Sequence, residues 1–364
     1  MNLTSPRWLA LVLFGAVTAC ATTPPPPTAG ASNVPAGRQG SPPPPGSDAA
    51  LRPWAQRFDA GLRIAERYRA PGLDERRFTH EQLWRVLAAY TAPAAPAIGV
   101  EPIGRSMQGR EIRAVSFGTG PTTVLLWSQM HGDEATATMS VADLLRFFAE
   151  AEGDSLRERI RRELTVVFVP MLNPDGAELF QRENAAGVDV NRDARRLATP
   201  EGRALKSLRD RIEPEFGFNL HDQNARTRVG RGGLQAGIAL LAPAYDRDRS
   251  YNEVRGRARL VAAAIAAALG SAIPGRVAKY DDEFTPRAFG DLMQQWGTST
   301  VLIESGALPG DPQKQRLRAL NAAAILVALD AIAAGDLSLA DPEWYESLAE
   351  NVGGAYDRMI VGGT

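Results

Sequence analysis

The segment Leu164-Thr165-Val166-Val167-Phe168-Val169 is apolar at every position but Thr165, and no other stretch limits the possible architectures as much. A strand with one wet face alternates polar and apolar residues, whereas a nearly continuous apolar run reads as a strand covered on both faces. The chain that contains it therefore needs a layer on each side of its sheet. Thr123-Val124-Leu125-Leu126-Trp127 is of the same kind and runs to Gln129; residues 111–117 alternate, and 216–220, 236–241 and 298–303 complete the strand-like runs. Helical spacing separates them. Trp54, Phe58, Leu62 and Ile64 mark one pattern, Leu83, Trp84, Val86 and Leu87 a second, Met139, Val141, Leu144, Leu145 and Phe148 a third within 134–150, and an Ala-rich helix is expected over 251–269. Thr199-Pro200-Glu201 has the cap, first-turn proline and acid of a helix start, a device repeated at Asp311-Pro312 and Asp341-Pro342. Strands alternating with helices predict an α/β fold whose central sheet is mixed and mostly parallel, with helices on both faces. Neither an internal repeat nor a spanning helix is expected.

The N-terminus predicts a signal peptide over residues 1–19, with Arg7 ahead of the apolar run 8–19, which is short for a bilayer span. Val17-Thr18-Ala19-Cys20 resembles the bacterial lipoprotein box, so Cys20, the only cysteine, is expected to become the lipidated first residue. A plain cleaved signal or a free thiol is the alternative. Residues 20–53, with Pro24 to Pro27 and Pro42 to Pro45, read as a tether that cannot bury a core. The expected division is then a globular domain over 54–340 and a C-terminal helix and tail over 341–364. This arrangement implies a lipid-anchored protein of the cell envelope, on the periplasmic side of a membrane, the outer one in a two-membrane bacterium. Lys and Arg total 41 against 42 Asp and Glu, a formal charge of -1, and this gives no basis for a nucleic-acid partner.

Three histidines are present. His80, in Thr79-His80-Glu81, reads as part of a helix N-terminus. His131 and Glu134 lie three apart in Gln129-Met130-His131-Gly132-Asp133-Glu134, where a strand turns toward a helix, and His221 closes the run 216–220. Two imidazoles and one carboxylate leave zinc an open fourth position, the arrangement of a catalytic site.

The order His131, Glu134, then Asp189-Val190-Asn191-Arg192, then His221, then Ile303-Glu304-Ser305-Gly306 resembles the zinc carboxypeptidase family, the carboxypeptidase A-like metallopeptidases. Gly104-Arg105-Ser106 and Asn173-Pro174-Asp175-Gly176, read as a turn, match as well, so that the likeness covers roughly residues 100 to 310. It implies one Zn2+ per chain on His131, Glu134 and His221, a metal that acidifies water and polarises a carbonyl. Glu304 is implied as general base and Arg182 as the oxyanion's partner, with Arg195 or a loop arginine as rivals for the latter part. Asn191 and Arg192 match the pair that grips a terminal carboxylate, and Asp189, on the same strand face as Asn191, would orient a zinc-bound histidine. Tyr280 stands near the place of the family's capping tyrosine, with Tyr245 and Tyr251 as rivals. The basic loop of Arg226, Arg228 and Arg231 either lines a pocket for an acidic side chain or is a solvated face. The expected activity is a zinc metallocarboxypeptidase acting on peptides with a free C-terminal carboxylate. The alternatives are a murein-peptide hydrolase, an amidohydrolase of the succinylglutamate desuccinylase or aspartoacylase type, and a lipoprotein that binds peptide without cutting it.

Overall fold

The structure, a computed structural model, describes residues 47–91 and 98–354. The expected signal peptide, Cys20, most of the tether and the last ten residues lie outside them. Within 47–354, the strands are β1 (Ile98–Arg105), β2 (Glu111–Phe117), β3 (Thr122–Ser128), β4 (Leu164–Val169), β5 (Phe216–Asp222), β6 (Thr227–Val229), β7 (Ile238–Leu241), β8 (Val277–Lys279), β9 (Ser299–Ser305) and β10 (Asn351–Gly353). The helices are α1 (Asp48–Arg67), α2 (His80–Ala88), α3 (Thr136–Glu150), α4 (Ser155–Glu163), α5 (Pro174–Leu179), α6 (Pro200–Ile212), α7 (Glu253–Ala272), α8 (Phe289–Gln295), α9 (Gln315–Ala334) and α10 (Glu343–Glu346).

Eight strands form one sheet in the order β1-β2-β4-β3-β5-β9-β7-β8. The four central strands run parallel to one another, β7 is antiparallel to β9, and β1 and β2 form an antiparallel edge. The mixed, mostly parallel sheet is thus present. Its two faces follow from the period of two along each strand. Val124, Leu126, Phe218 and Ile303 share one core with α1, α3, α7 and α9, while Leu125 and Trp127 pack on the opposite face with residues of α6 and α8. Asn219 and His221 on β5, and Leu302 and Glu304 on β9, fall by alternation on that second face, where the helical cover is thinner and a cleft remains. α9 is long and apolar enough by composition to cross a membrane, but it is mostly buried and packs on α1, α3 and α7 as a core helix.

Several boundaries differ from expectation, each for a local reason. α1 begins at Asp48, capped by the Ser47 hydroxyl, so residues 48–53 are helix and not tether. Pro53 removes one helical hydrogen bond, and burial of Trp54 and Phe58 outweighs it. α3 starts at Thr136, which leaves Glu134 on the preceding turn. The Asn173-Pro174-Asp175-Gly176 turn is the first turn of α5, with the Asn173 side chain accepting from Gly176 N at 2.9 Å. Asp189 and Asn191 are not on a strand: Asp189 caps a 3-10 turn, Val190–Arg192. Asp311 does cap α9, accepting from the amides of Gln315, Arg316 and Leu317, although the helix opens four residues later. Past residue 340 the described chain packs on the domain: Tyr345 is fully buried, its hydroxyl accepts from Ala242 N, and β10 pairs with β6.

Candidate metal centre and active site

β3 ends at Ser128, and Gln129 takes a left-handed conformation (φ 48°) that turns the chain sharply off the sheet. A non-glycine residue there is strained by about 1–2 kcal/mol. The side chain offsets this locally, donating to Gly132 O at 2.9 Å and accepting from Thr138 at 3.0 Å. Gly132 is required at the next bend: a Cβ would lie 2.0 Å from the Gly176 carbonyl carbon, so this turn and the start of α5 meet backbone to backbone. Asn173 Nδ2 donates to Met130 O, and Asp175 accepts from Ser106 Oγ, Gln108 N and Arg110. The two supporting motifs singled out in the sequence thereby brace the turn that carries His131 and Glu134.

His221 and Glu304 are register partners across the parallel β5·β9 pair, which puts their side chains on one face a strand spacing apart. His131 Nδ1 lies 2.7 Å from Glu134 Oε1, His221 Nδ1 lies 2.7 Å from Glu134 Oε2, and the two Nδ1 atoms are 3.2 Å apart. All three residues are buried. Two nitrogens on a tetrahedral zinc with bonds of about 2.0–2.1 Å stand roughly 3.3 Å apart, so the spacing and the N, N, O donor set fit that ion. Asp189 Oδ1 is 3.0 Å from His131 Nε2 and fixes the ring with Nδ1 toward the cluster. Asn191 Nδ2 is 3.5 Å from His221 Nε2, and its Oδ1 accepts from Phe289 N. His80 bonds Glu111 O and stands apart, as its helix-start position implied.

The charges are mutually dependent. Burial would lower the His131 pKa, but its hydrogen bonds to Asp189 and Glu134 hold it at about 9. Burial holds the His221 imidazole below its ordinary value. Burial would likewise raise Glu134, yet His221 and His131 hold that carboxyl well below the usual range. Glu304 goes the other way: burial first, then the Glu134 charge, push it well above an ordinary carboxyl, and its buried Oε2 has no hydrogen-bond partner among the described residues.

These residues line a cavity of about 300 Å3 that also takes in Arg182, Asn191, Arg192 and Tyr280. Arg182 donates to Asp189 (3.0 Å) and reaches Glu134 Oε1 (3.4 Å), whereas its rival Arg195 lies on a different cavity. Tyr280 faces the cleft near enough to Glu304 that this charge, then burial, raises its hydroxyl to about 12. Tyr251 instead donates to Glu346, and neither it nor Tyr245 lines the cleft. The basic loop contributes Asn224 and Thr227 to the cleft, and Arg226, Arg228 and Arg231 are not among its lining residues.

Among the lining residues that reasoning from the sequence missed are Asn219, Asp291 and Asn351. Asn219 sits two positions before His221, so the strand period was a signal for it; its buried Oδ1 has no partner among the described residues. Asp291, buried at the start of α8, and Asn351, brought in by β10 and donating to Gln223, had no local signal.

Residues 87–219 match the zinc carboxypeptidase family model. Over that stretch the chain is similar to the zinc carboxypeptidase family. The match stops two residues short of His221 (221 − 219 = 2), so His221 and Glu304 join the cluster through the tertiary structure. Among curated relatives, the chain is 26% identical over 185 residues to a probable carboxypeptidase 2 of Trichophyton verrucosum, covering 50% of this chain and 33% of that one. It is 27% identical over 154 residues to an uncharacterized protein of Zymomonas mobilis, covering 41% and 40%. The chain thus spans about a third to two-fifths of these relatives' length. A metallo-carboxypeptidase of Burkholderia cenocepacia superposes with a TM-score of 0.57 at 21% identity, over 71% of this chain and 70% of that one. A Pseudomonas aeruginosa metallo-carboxypeptidase, solved with (2-guanidinoethylmercapto)succinic acid, superposes with a TM-score of 0.53 at 17% identity over 72% and 70%. Both share the zinc carboxypeptidase fold with this chain.

Proposed function

We propose that this chain is a zinc-dependent metallocarboxypeptidase that hydrolyses the last peptide bond of a substrate with a free C-terminal carboxylate. One observation carries the reading: the unpartnered carboxylate oxygen of Glu304 is buried in the same cleft as a convergent His131, Glu134 and His221. Zinc held by those three supplies Lewis acidity, acidifying water and polarising the scissile carbonyl. Glu304, its carboxyl shifted upward, takes the proton of the attacking water and returns it to the leaving amine. Arg182 presents guanidinium donors beside the ligands, where negative charge develops on the carbonyl oxygen. Arg192 and the amide of Asn191 hold the terminal carboxylate, Tyr280 covers the bound residue, and Asp189 keeps His131 in its ligating orientation.

The cleft also supports a substrate preference. Asp291 is buried, accepts one bond from Thr285 N, and has no ion pair among the described residues; burial raises its carboxyl to about 7. With the unpartnered Asn219 Oδ1 it gives the cleft two acceptors that lack a cation, which suits a basic C-terminal residue. The guanidino ligand of the Pseudomonas relative is in keeping with that chemistry. The test is a panel of blocked dipeptides ending in Arg, Lys, Phe or Glu, each as free acid and as amide, with chelator-stripped and zinc-restored protein. Zinc-dependent release of a basic residue from free acids is expected; cleavage independent of zinc, or equal on the amides, defeats the reading. The murein-peptide and N-acyl amino acid alternatives, and the non-catalytic one, are not favoured by the family match. Anchoring through Cys20 at the periplasmic side of a membrane is part of the same proposal, and loss of membrane-fraction labelling by a radioactive fatty acid in Cys20→Ser tests it.

A further inference from the structure

A second cavity of about 580 Å3 lies behind one wall of the catalytic cleft. The wall is the segment 283–288, and its residues divide between the two spaces. Glu283, Thr285 and Ala288 line the cleft, whereas Phe284 and Pro286 line the second cavity. The charged residues that line it are all cationic: Arg195, Lys206 and Arg247. Lys206 is already engaged, paired with Asp210 and 4.5 Å from the centre of the Trp296 ring. Arg195 and Arg247 differ. Both are exposed, and among the described residues neither has an ion pair or a hydrogen bond from its side chain. The same cavity has an apolar lining of Leu197, Leu292, Phe284 and the Trp296 ring.

A cavity of this size suits a small molecule. Guanidinium groups hold carboxylate or phosphate oxygens two at a time, and an indole face takes an apolar or aromatic body. We propose that this cavity binds a small organic anion, a carboxylate or phosphate monoester on an aromatic body, with Arg195 and Arg247 on the anionic group and Trp296 and Phe284 on the ring. The wall connects this site to the cleft. Thr285 N donates to Asp291, Ala288 N donates to Thr285 O, and Arg287 O accepts from Ala194 N, so a ligand seated on Phe284 and Pro286 bears on the backbone that holds the Asp291 side of the cleft. Occupancy should therefore change KM more than kcat. The binding claim itself does not depend on the peptidase reading.

The test is calorimetric titration of the zinc-loaded full chain with phenyl phosphate, with benzoate and with inorganic phosphate. The two aromatic anions should bind one per chain and more tightly than inorganic phosphate. Arg195→Ala with Arg247→Ala should weaken them roughly tenfold or more, while Arg192→Ala in the cleft leaves them unchanged. Arg247→Glu alone, at an exposed residue without a partner among the described residues, gives the same reading without risk to the fold. Three results would overturn the proposal: no binding at millimolar concentration, affinity untouched by the Arg195 and Arg247 variants, or loss with Arg192→Ala, which would put the anion in the catalytic cleft.

Discussion

Replacing Glu304 with Gln should cost activity and add stability. The side chain is buried, Oε2 has no partner among the described residues, and the Glu134 charge lies close enough to oppose its ionisation. As a general base it would contribute about 10²- to 10⁴-fold to kcat, or roughly 3–5 kcal/mol of barrier. Gln keeps the shape and leaves an amide equally unpartnered, so only the cost of the charge is relieved, about 1–2 kcal/mol at pH 7. The sign follows from linkage. An acid whose folded pKa is raised destabilises the fold once pH passes its unfolded value near 4.3, and the penalty grows until the folded value is reached. The stability gap between Glu304→Gln and the parent should thus be absent near pH 4 and open as pH rises, in zinc-free protein where no cation offsets the charge. Urea unfolding from pH 4 to 8, zinc content by mass spectrometry, and kcat on a blocked dipeptide give the three numbers. A variant that loses activity and stability together would make Glu304 a structural residue, and a fall in kcat of less than about tenfold would remove it as the base.

Asp189→Asn should weaken zinc binding about 10- to 100-fold, read by chelator competition, since the carboxylate that fixes His131 also takes two donors from Arg182. Arg192→Ala should raise KM for free-acid peptides by roughly 10- to 100-fold and leave amidated ones unchanged, because a charged two-point contact is worth about 1.5–3 kcal/mol. Arg318→Met should cost about 3–5 kcal/mol in denaturant unfolding by stranding Asp143, with Asp143→Leu in the same chain restoring most of it. That arginine is buried on α9 and bonds both Asp143 oxygens and the carbonyls of Ala70 and Leu73.

The amino-acid order by itself determined that two of the strands are buried on both faces and which residues could bind a metal. Apolar runs at β3 and β4 have to be covered on both faces, and His131, Glu134 and His221 stand at strand ends where side chains leave the sheet. Burial and donor type are properties of single residues and their spacing, which makes them readable. Tertiary structure alone decided the rest. That Tyr280 and Arg182 line the cleft while Tyr251 and Arg195 do not, and that Asp291 and Asn351 reach it, depends on how loops far apart in the chain close on one another. Asp189 and Asn191 show the same division. Their identity was legible, but a 3-10 turn capped by Asp189 itself, not a strand, aims one at His131 and the other at His221. Local sequence limits backbone preference and polarity, whereas the direction in which a loop side chain points is set by its packing partners, which the sequence does not name.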